Sequence, residues 1–213
     1  MMYLLNTAQK FIAVLDLRNQ FDCDLMNQRF DELSFRQNVQ NKISNDMDFF
    51  EADYLIPHKK FIENECQSYL TNTIISQDMF DQLYITLSWG NITEQNQSHH
   101  EHVHPFSVVS GVIFLEDSED NFKLNLEGYL PDIPYFVPKN KSWVNIGQLC
   151  RDTGIDTPAN LKHHMILFLS NTYHFVEQVT TTNIRKTVSF NTFWRGHVGL
   201  PNNPLGSYHF SDT

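Results

Sequence analysis

The sequence predicts a mainly β protein with helices gathered in its N-terminal part. Three observations carry this expectation. Apolar residues recur at helical spacing before residue 74, the period drops to two at Leu83, and short alternating or apolar runs then follow one another to about Phe193. A chain of 213 residues is long enough to close one large core, so a single domain over 1–213 is expected. Its parts would be a helical or irregular segment over 1–80, a β core over about 83–194 and a tail over 197–213.

In chain order, Phe11-Ile12-Ala13-Val14-Leu15 reads as an edge or capping strand of the later sheet, since such residues suit a pleated surface. Residues 18–52 are polar and rich in Asn, Gln and Asp, and are expected to form helices or loops. Between Asp53 and Thr73, Phe61, Ile62, Cys66, Tyr69 and Leu70 share one helical face, with Pro57 placed for a first turn; this helix would pack on a sheet. Leu83, Ile85, Leu87 and Trp89 then alternate with Tyr84, Thr86 and Ser88, which predicts a strand with one buried face. Gly90-Asn91 turns the chain, and Val108 to Leu115 forms an apolar strand.

Beyond the turn Asp117-Ser118-Glu119-Asp120-Asn121, the alternating Phe122, Leu124 and Leu126 suggest its hairpin partner. Residues 129–163 carry Pro131, Pro134, Pro138 and Pro158 with Tyr129, Tyr135, Phe136 and Trp143, a long irregular stretch suited to act as a lid. Met165 to Leu169 is a fully apolar strand, and Ser170-Asn171-Thr172 turns it into Tyr173-His174-Phe175-Val176. The last strand runs from Ile184 to about Phe193. It sets Arg185, Thr187, Ser189 and Asn191 on one face and Ile184, Val188 and Phe190 on the other. After Gly196 no packing signal remains.

The formal net charge of −10 argues against a general nucleic-acid or anionic-membrane surface. Cys23, Cys66 and Cys150 are too few and too scattered for a disulfide framework or zinc ribbon, which suggests a reducing, cytoplasmic setting. No run is long and apolar enough for a membrane span, and Asn6, Gln9 and Lys10 interrupt the apolar start, so no signal peptide is expected.

The chemistry concentrates in Ser98-His99-His100-Glu101-His102-Val103-His104-Pro105-Phe106-Ser107, which holds four of the ten histidines. In an extended chain His102 and His104 point the same way and can present two imidazoles to one metal. His174, after another strand, is the third candidate, and three protein ligands on an octahedral metal leave three positions open. Eleven positions further on, the planar fork of Arg185 suits bidentate capture of a carboxylate, and Thr187 can add a hydroxyl on the same face. His99 and His100 read as solvated neighbours, and His163 and His164 as flanking a strand start.

At these residues the sequence resembles the 2-oxoglutarate- and iron(II)-dependent oxygenases common in phages and marine bacteria. The resemblance spans roughly residues 60–194. It rests on Ser88-Trp89-Gly90-Asn91, on His102 through Val112, on Leu167 to His174, and on Arg185-Lys186-Thr187-Val188-Ser189-Phe190-Asn191. Where the family often has tyrosine after Ser-Gly-Val this chain has Ile113-Phe114, and where it often has proline before the serine it has Leu169; both keep apolar strand character.

The resemblance implies a double-stranded β-helix (a jelly-roll, cupin-like core) with the metal between its sheets. It implies Fe(II) held by His102, His104 and His174, and 2-oxoglutarate as cosubstrate against Arg185 and Thr187. Asn91 and Asn191 are weaker candidates for polar groups around the cosubstrate. In the wider superfamily the second ligand is a carboxylate; here His104 stands in that place, with Glu101 and Asp117 the nearby acidic alternatives. The implied reaction is hydroxylation of an unidentified substrate with release of succinate and CO2, in the host cytoplasm if the chain is phage-encoded. Two other readings use the same histidines: a zinc hydrolase, and a jelly-roll module in which a metal only stabilises the fold.

Overall fold

The computed structural model describes residues 2–7, 10–116, 122–125, 143–154, 161–200 and 206–210. Within them lie strands β1 (Met2–Thr7), β2 (Lys10–Asp16), β3 (Phe35–Gln37), β4 (Lys42–Ser44), β5 (Phe80–Thr93), β6 (His99–His102), β7 (Val109–Phe114), β8 (Phe122–Asn125), β9 (Trp143–Asn145), β10 (His164–Leu169), β11 (His174–Val176), β12 (Arg185–Gly199) and β13 (Ser207–Phe210). The helices are α1 (Cys23–Glu32), α2 (Ile56–Thr73) and α3 (Ile146–Asp152). The larger sheet has the order β1-β2-β10-β7-β12-β5-β4-β3 with β13 also on β12, and the smaller is β6-β11-β8-β9. Neighbouring strands pair antiparallel throughout both sheets.

Alternation along the central strands divides the interior in two. Val109 and Ile113 of β7, Met165 and Leu167 of β10, and Val188 and Phe190 of β12 face the helices. There they pack with Met26 and Phe30 of α1 and Ile62, Cys66, Tyr69 and Leu70 of α2. The intervening Val112, Phe114, Ile166 and Phe168 face the smaller sheet and meet Phe122, Leu124 and Val176, with Ile146 and Cys150 of α3. Helices, large sheet and small sheet thus form three layers, and the space between the sheets is the jelly-roll interior.

Local chemistry explains the helices. Asp22 caps α1 by accepting from the backbone N–H of Asp24 and Leu25 at 3.0 and 3.1 Å. Pro57 lies in the first turn of α2, where its missing N–H removes no helical bond. The hydroxyl of the buried Tyr69 donates to the Phe11 carbonyl at 2.7 Å and ties α2 to β2. The run Phe11 to Leu15 is therefore part of the large sheet but not its edge as expected, because β1 pairs outside it.

The structure corrects several expectations. The polar stretch 18–52 contains, besides α1, the short strands β3 and β4, which extend the large sheet. The strand at Phe122 is not the hairpin partner of β7: it crosses to the smaller sheet and pairs with β11 and β9, because a jelly-roll connection switches sheets. Within 129–163, Trp143–Asn145 is a strand and Ile146–Asp152 a helix capped by Asn145, so this part is regular. Most of the expected lid, and Asp117, lie outside the described residues. The end of the chain is not without packing: β12 continues to Gly199 and takes β13 as partner, with Phe210 against Phe193 at 5.3 Å between ring centres. Ile184 precedes β12 and is exposed.

A single extra residue in β5 decides what faces the interior. Asn191 pairs with Leu87 and Thr192 with Ile85, so Thr86 is unmatched and forms a bulge. Leu83 and Ile85 face the helices before it. After it the parity reverses: Gly90 lies beneath Phe30, Leu33 and Phe35, Leu87 becomes exposed, and Trp89 and Asn91 turn toward the smaller sheet. Uninterrupted alternation would have put Leu87 in the core and Asn91 beneath α1.

Candidate metal centre

His102 and His174 are direct partners across β6 and β11, so both rings leave the smaller sheet at one level, with centres 4.2 Å apart. The chain then leaves β6, and the His104 N–H donates to the Ser170 carbonyl at 2.9 Å, which holds the third ring 5.0 Å from each of the others. Trp89 packs edge-on against His104 at 5.6 Å. One ring nitrogen from each histidine lies within 4.8 Å of the other two. Metal–nitrogen bonds of about 2.1 Å set three mutually adjacent ligand nitrogens closer together than this limit, so the rings would draw inward to share one ion.

Backbone carbonyls set the ring orientation. His102 Nδ1 lies 2.8 Å from the His100 carbonyl and His174 Nδ1 2.9 Å from that of Thr172. A carbonyl can only accept, so Nδ1 carries the hydrogen in both and Nε2 keeps a lone pair for a metal. Burial pushes His102 and His174 below the ordinary histidine value, and in His174 the neighbouring His102 and His104 add to it. His104 is held down to about 3, again chiefly by burial and then by His102. Neutral imidazole is thus the resting form at neutral pH, the form that ligates a metal.

Above the histidines the large sheet supplies the opposite wall. Trp89 and Asn91 of β5, Val112 of β7 and Arg185, Thr187 and Ser189 of β12 line one cavity with His99, His102, His104 and His174. Arg185 is only 3% exposed. Its Nη1 donates to Thr187 Oγ1 at 3.3 Å, and its guanidinium carbon lies 5.2 and 6.0 Å from the ring centres of Phe114 and Phe122. Around an arginine so enclosed by aromatic walls the dielectric is low, which strengthens the attraction of a guanidinium for a carboxylate.

Most of the sequence-derived candidates meet here: His102, His104, His174, Arg185, Thr187 and Asn91 all face one cavity. Asn191 does not. It lies one alternation further along β12, where its Oδ1 accepts from Ser110 Oγ at 2.7 Å and its neighbours are Leu87, Phe106 and Phe193 in an open trough. His99, expected to be a solvated neighbour, instead lines the cavity and stacks on His102 at 4.6 Å, while His100 is exposed. His99, His100 and His102 form a second group with nitrogens within 4.8 Å, sharing His102 with the first. Glu101 is exposed, and among the described residues no carboxylate joins either group. His164 is buried at the start of β10, as its position suggested.

The comparisons agree with this geometry. Residues 87–191 match the family described as "Putative 2OG-Fe(II) oxygenase". Among curated proteins, none matches the sequence significantly. Solved structures with the same fold include a Pseudomonas putida prolyl-4-hydroxylase, 11% identical over 87% of this chain and 93% of that one, with a TM-score of 0.52. HygX from Streptomyces hygroscopicus, solved with nickel, 2-oxoglutarate and hygromycin B, is 10% identical over 85% of this chain and 82% of its own, with a TM-score of 0.55. The non-heme α-ketoglutarate-dependent epimerase SnoN of nogalamycin biosynthesis is 7% identical over 89% and 80%, with a TM-score of 0.62. Among the described residues no helix is long and apolar enough to cross a membrane. The matched segment runs from β5 to β12, contains the three histidines, Arg185 and Thr187, and is similar over that length to the 2OG-Fe(II) oxygenases, oxidoreductases that use iron(II) and 2-oxoglutarate.

Proposed function

We propose that this chain, acting as a single domain, holds Fe(II) on His102, His104 and His174, binds 2-oxoglutarate against Arg185 and Thr187, and hydroxylates a substrate with release of succinate and CO2. The observation that supports this reading is the sharing of one cavity by three convergent imidazoles and a buried arginine. Iron(II), once bound with 2-oxoglutarate and dioxygen, would supply the oxidising power, and the protein supplies position and electrostatics.

The residues divide that work. The carbonyls of His100 and Thr172 hold Nδ1–H of His102 and His174, so each Nε2 is aimed before a metal arrives. Because burial already keeps the three rings neutral, ligation at neutral pH displaces no proton from them. Three neutral ligands leave both charges of the metal uncompensated, and Arg185 adds a third positive charge. The interior therefore attracts a dianion although the chain as a whole is acidic. Thr187 accepts from Arg185 and keeps its own O–H to donate to a carboxylate. A zinc hydrolase would use the histidines but give the enclosed Arg185 no part in the chemistry.

The test is anaerobic addition of Fe(II) and then 2-oxoglutarate, followed by visible spectroscopy. The expected result is a weak charge-transfer band that needs both additions and is lost in His174→Ala. A protein that binds Fe(II) yet shows neither the band nor any affinity for 2-oxoglutarate would overturn the proposal.

A further inference from the structure

A register shift in β6 turns a further histidine toward the metal centre. His102 pairs with His174 and His99 with Val176, so three steps along β6 match two along β11 and one residue bulges out. Without the bulge His99 and His102, an odd number apart, would point to opposite faces. With it, His99 lines the inner cavity beside His102 and stacks on its ring, 4.6 Å between centres. His100 is exposed, and its ring centre lies 5.2 Å from those of both His99 and His102. One ring nitrogen from each of these three lies within 4.8 Å of the other two, the same limit that holds for the inner set. His99 and His100 also line an open surface trough, whose wall carries Glu101 and Glu177. His99 is thus part of the wall of both the cavity and the trough.

We infer that His99, His100 and His102 form an outer site for a divalent transition-metal ion, through which the ion passes to and from His102, His104 and His174. This rests on the reading of those last three as the ion's resting place. The two sets share His102, and a neutral imidazole has a single lone pair, so His102 serves only one ion at a time. The sets are therefore occupied in turn rather than together. His102 keeps its hold while the other two partners change, which spares the ion a return to full hydration between them. The planes of His99 and His102 are 26° apart, so His99 tilts to aim its in-plane lone pair at a shared ion. Imidazoles suit iron(II), nickel(II) and zinc(II) alike. Glu101 and Glu177, the latter partly offset by Lys123 at 3.4 Å, give the trough a negative wall that draws cations. The His174 ring is buried, whereas His100 gives up its freedom in water to bind, so the ion comes to rest inside.

The probe is cobalt(II), mixed with the metal-free protein in a stopped flow. Quenching of tryptophan fluorescence follows its arrival, since Trp89 packs against His104. In wild type the observed rate should level off as Co(II) rises, because capture by the outer site precedes a first-order transfer. His100→Ala changes an exposed side chain and keeps the carbonyl that holds His102 Nδ1. It should load at least about ten-fold more slowly at low Co(II), having lost the local concentration that the outer site provides. Its equilibrium affinity should stay within a few-fold of wild type. Release to a chelator must then slow by the same factor as loading, since a path that speeds entry speeds exit equally. His209→Ala removes an exposed histidine of β13 and should load like wild type.

A second measurement reads the outer site at equilibrium. His104→Gln weakens the inner set, so the ion should rest partly on the outer one. Adding His100→Ala to His104→Gln should then lower Co(II) affinity about ten-fold or more, at least the loss caused by removing a ligand's hydrogen-bond partner. No further loss in that background would overturn the outer site. Equal loading and release rates in wild type and His100→Ala would overturn the passage of the ion through it. A lower affinity in His100→Ala with faster release would make His100 a ligand of the resting ion, which overturns the use of the two sets in turn. Two Co(II) ions per wild-type chain, falling to one in His100→Ala, would overturn the sharing of His102. A wild-type protein that takes up no Co(II) overturns the metal centre itself, an outcome distinct from the others.

Discussion

Replacing Gly111 by alanine should destabilise the protein through one ring. Gly111 of β7 pairs directly with Phe190 of β12, and the Phe190 ring covers the space where a side chain would stand. An alanine Cβ would meet Phe190 Cε1 and Cε2 at 2.6 and 2.9 Å, and the Cζ atom closer still. The ring is fully buried, with Phe50 on its far side at 6.2 Å, so it cannot swing out into water. Overpacking of this kind costs about 1–3 kcal/mol, and for a chain of this size each kcal/mol lowers Tm by about 2–4 °C. A loss of about 4–8 °C is the central expectation. Phe190→Leu has its own packing loss, but in the double variant the clash disappears, so the two changes should fall short of additivity by about 1–2 kcal/mol. Thermal or urea unfolding of the four proteins supplies the cycle. Strictly additive losses would refute the steric account. Val112, the next residue, lines the cavity, so Gly111→Ala should also weaken 2-oxoglutarate binding as β7 shifts.

Arg185→Ala should weaken 2-oxoglutarate by about ten- to hundred-fold or more with little change in iron affinity, and Arg185→Lys, which keeps charge but loses the planar fork, should fall between; anaerobic titration checks both. In the metal-free protein, burial depresses the folded-state values of His102, His104 and His174 below their unfolded value of about 6.5. Their contribution is therefore present above about pH 6.5 and is lost progressively as pH falls toward the folded value of His104, about 3. The Tm of the metal-free protein should drop across this window more steeply than that of His104→Gln, and equal slopes would contradict it. Thr86→Ala keeps the bulge and should cost no more than about 1 kcal/mol for its hydrogen bond to the Asn191 carbonyl, whereas deleting Thr86 should abolish soluble folded protein; expression and Tm measure the contrast.

Much of the site was legible in the sequence because it depends on short-range geometry. Residues two apart on extended chain share a face, which brought His102 and His104 together and aligned Arg185 with Thr187. The apolar period marked α2 and strands β7, β10 and β12 for the same reason. Spacing also offered His174 as the third ligand candidate, and the resemblance supplied the identity of the metal and of 2-oxoglutarate as the carboxylate beside Arg185.

Other features depend on which strands become neighbours, and no local period encodes that. His174 lies beside His102 only because β11 pairs with β6, and β8 joins the smaller sheet because its partner there is β11. The bulge at Thr86 exists only as a mismatch against β12, so the sequence pattern carried Leu87 into the core. The inward placement of His99 follows from its register against Val176. A sequence by itself determines which faces an element can bury or present to a metal. Which faces meet, and which polar atoms are left waiting for a ligand between them, is decided when the sheets pair, because a buried hydrogen bond needs both of its partners in place.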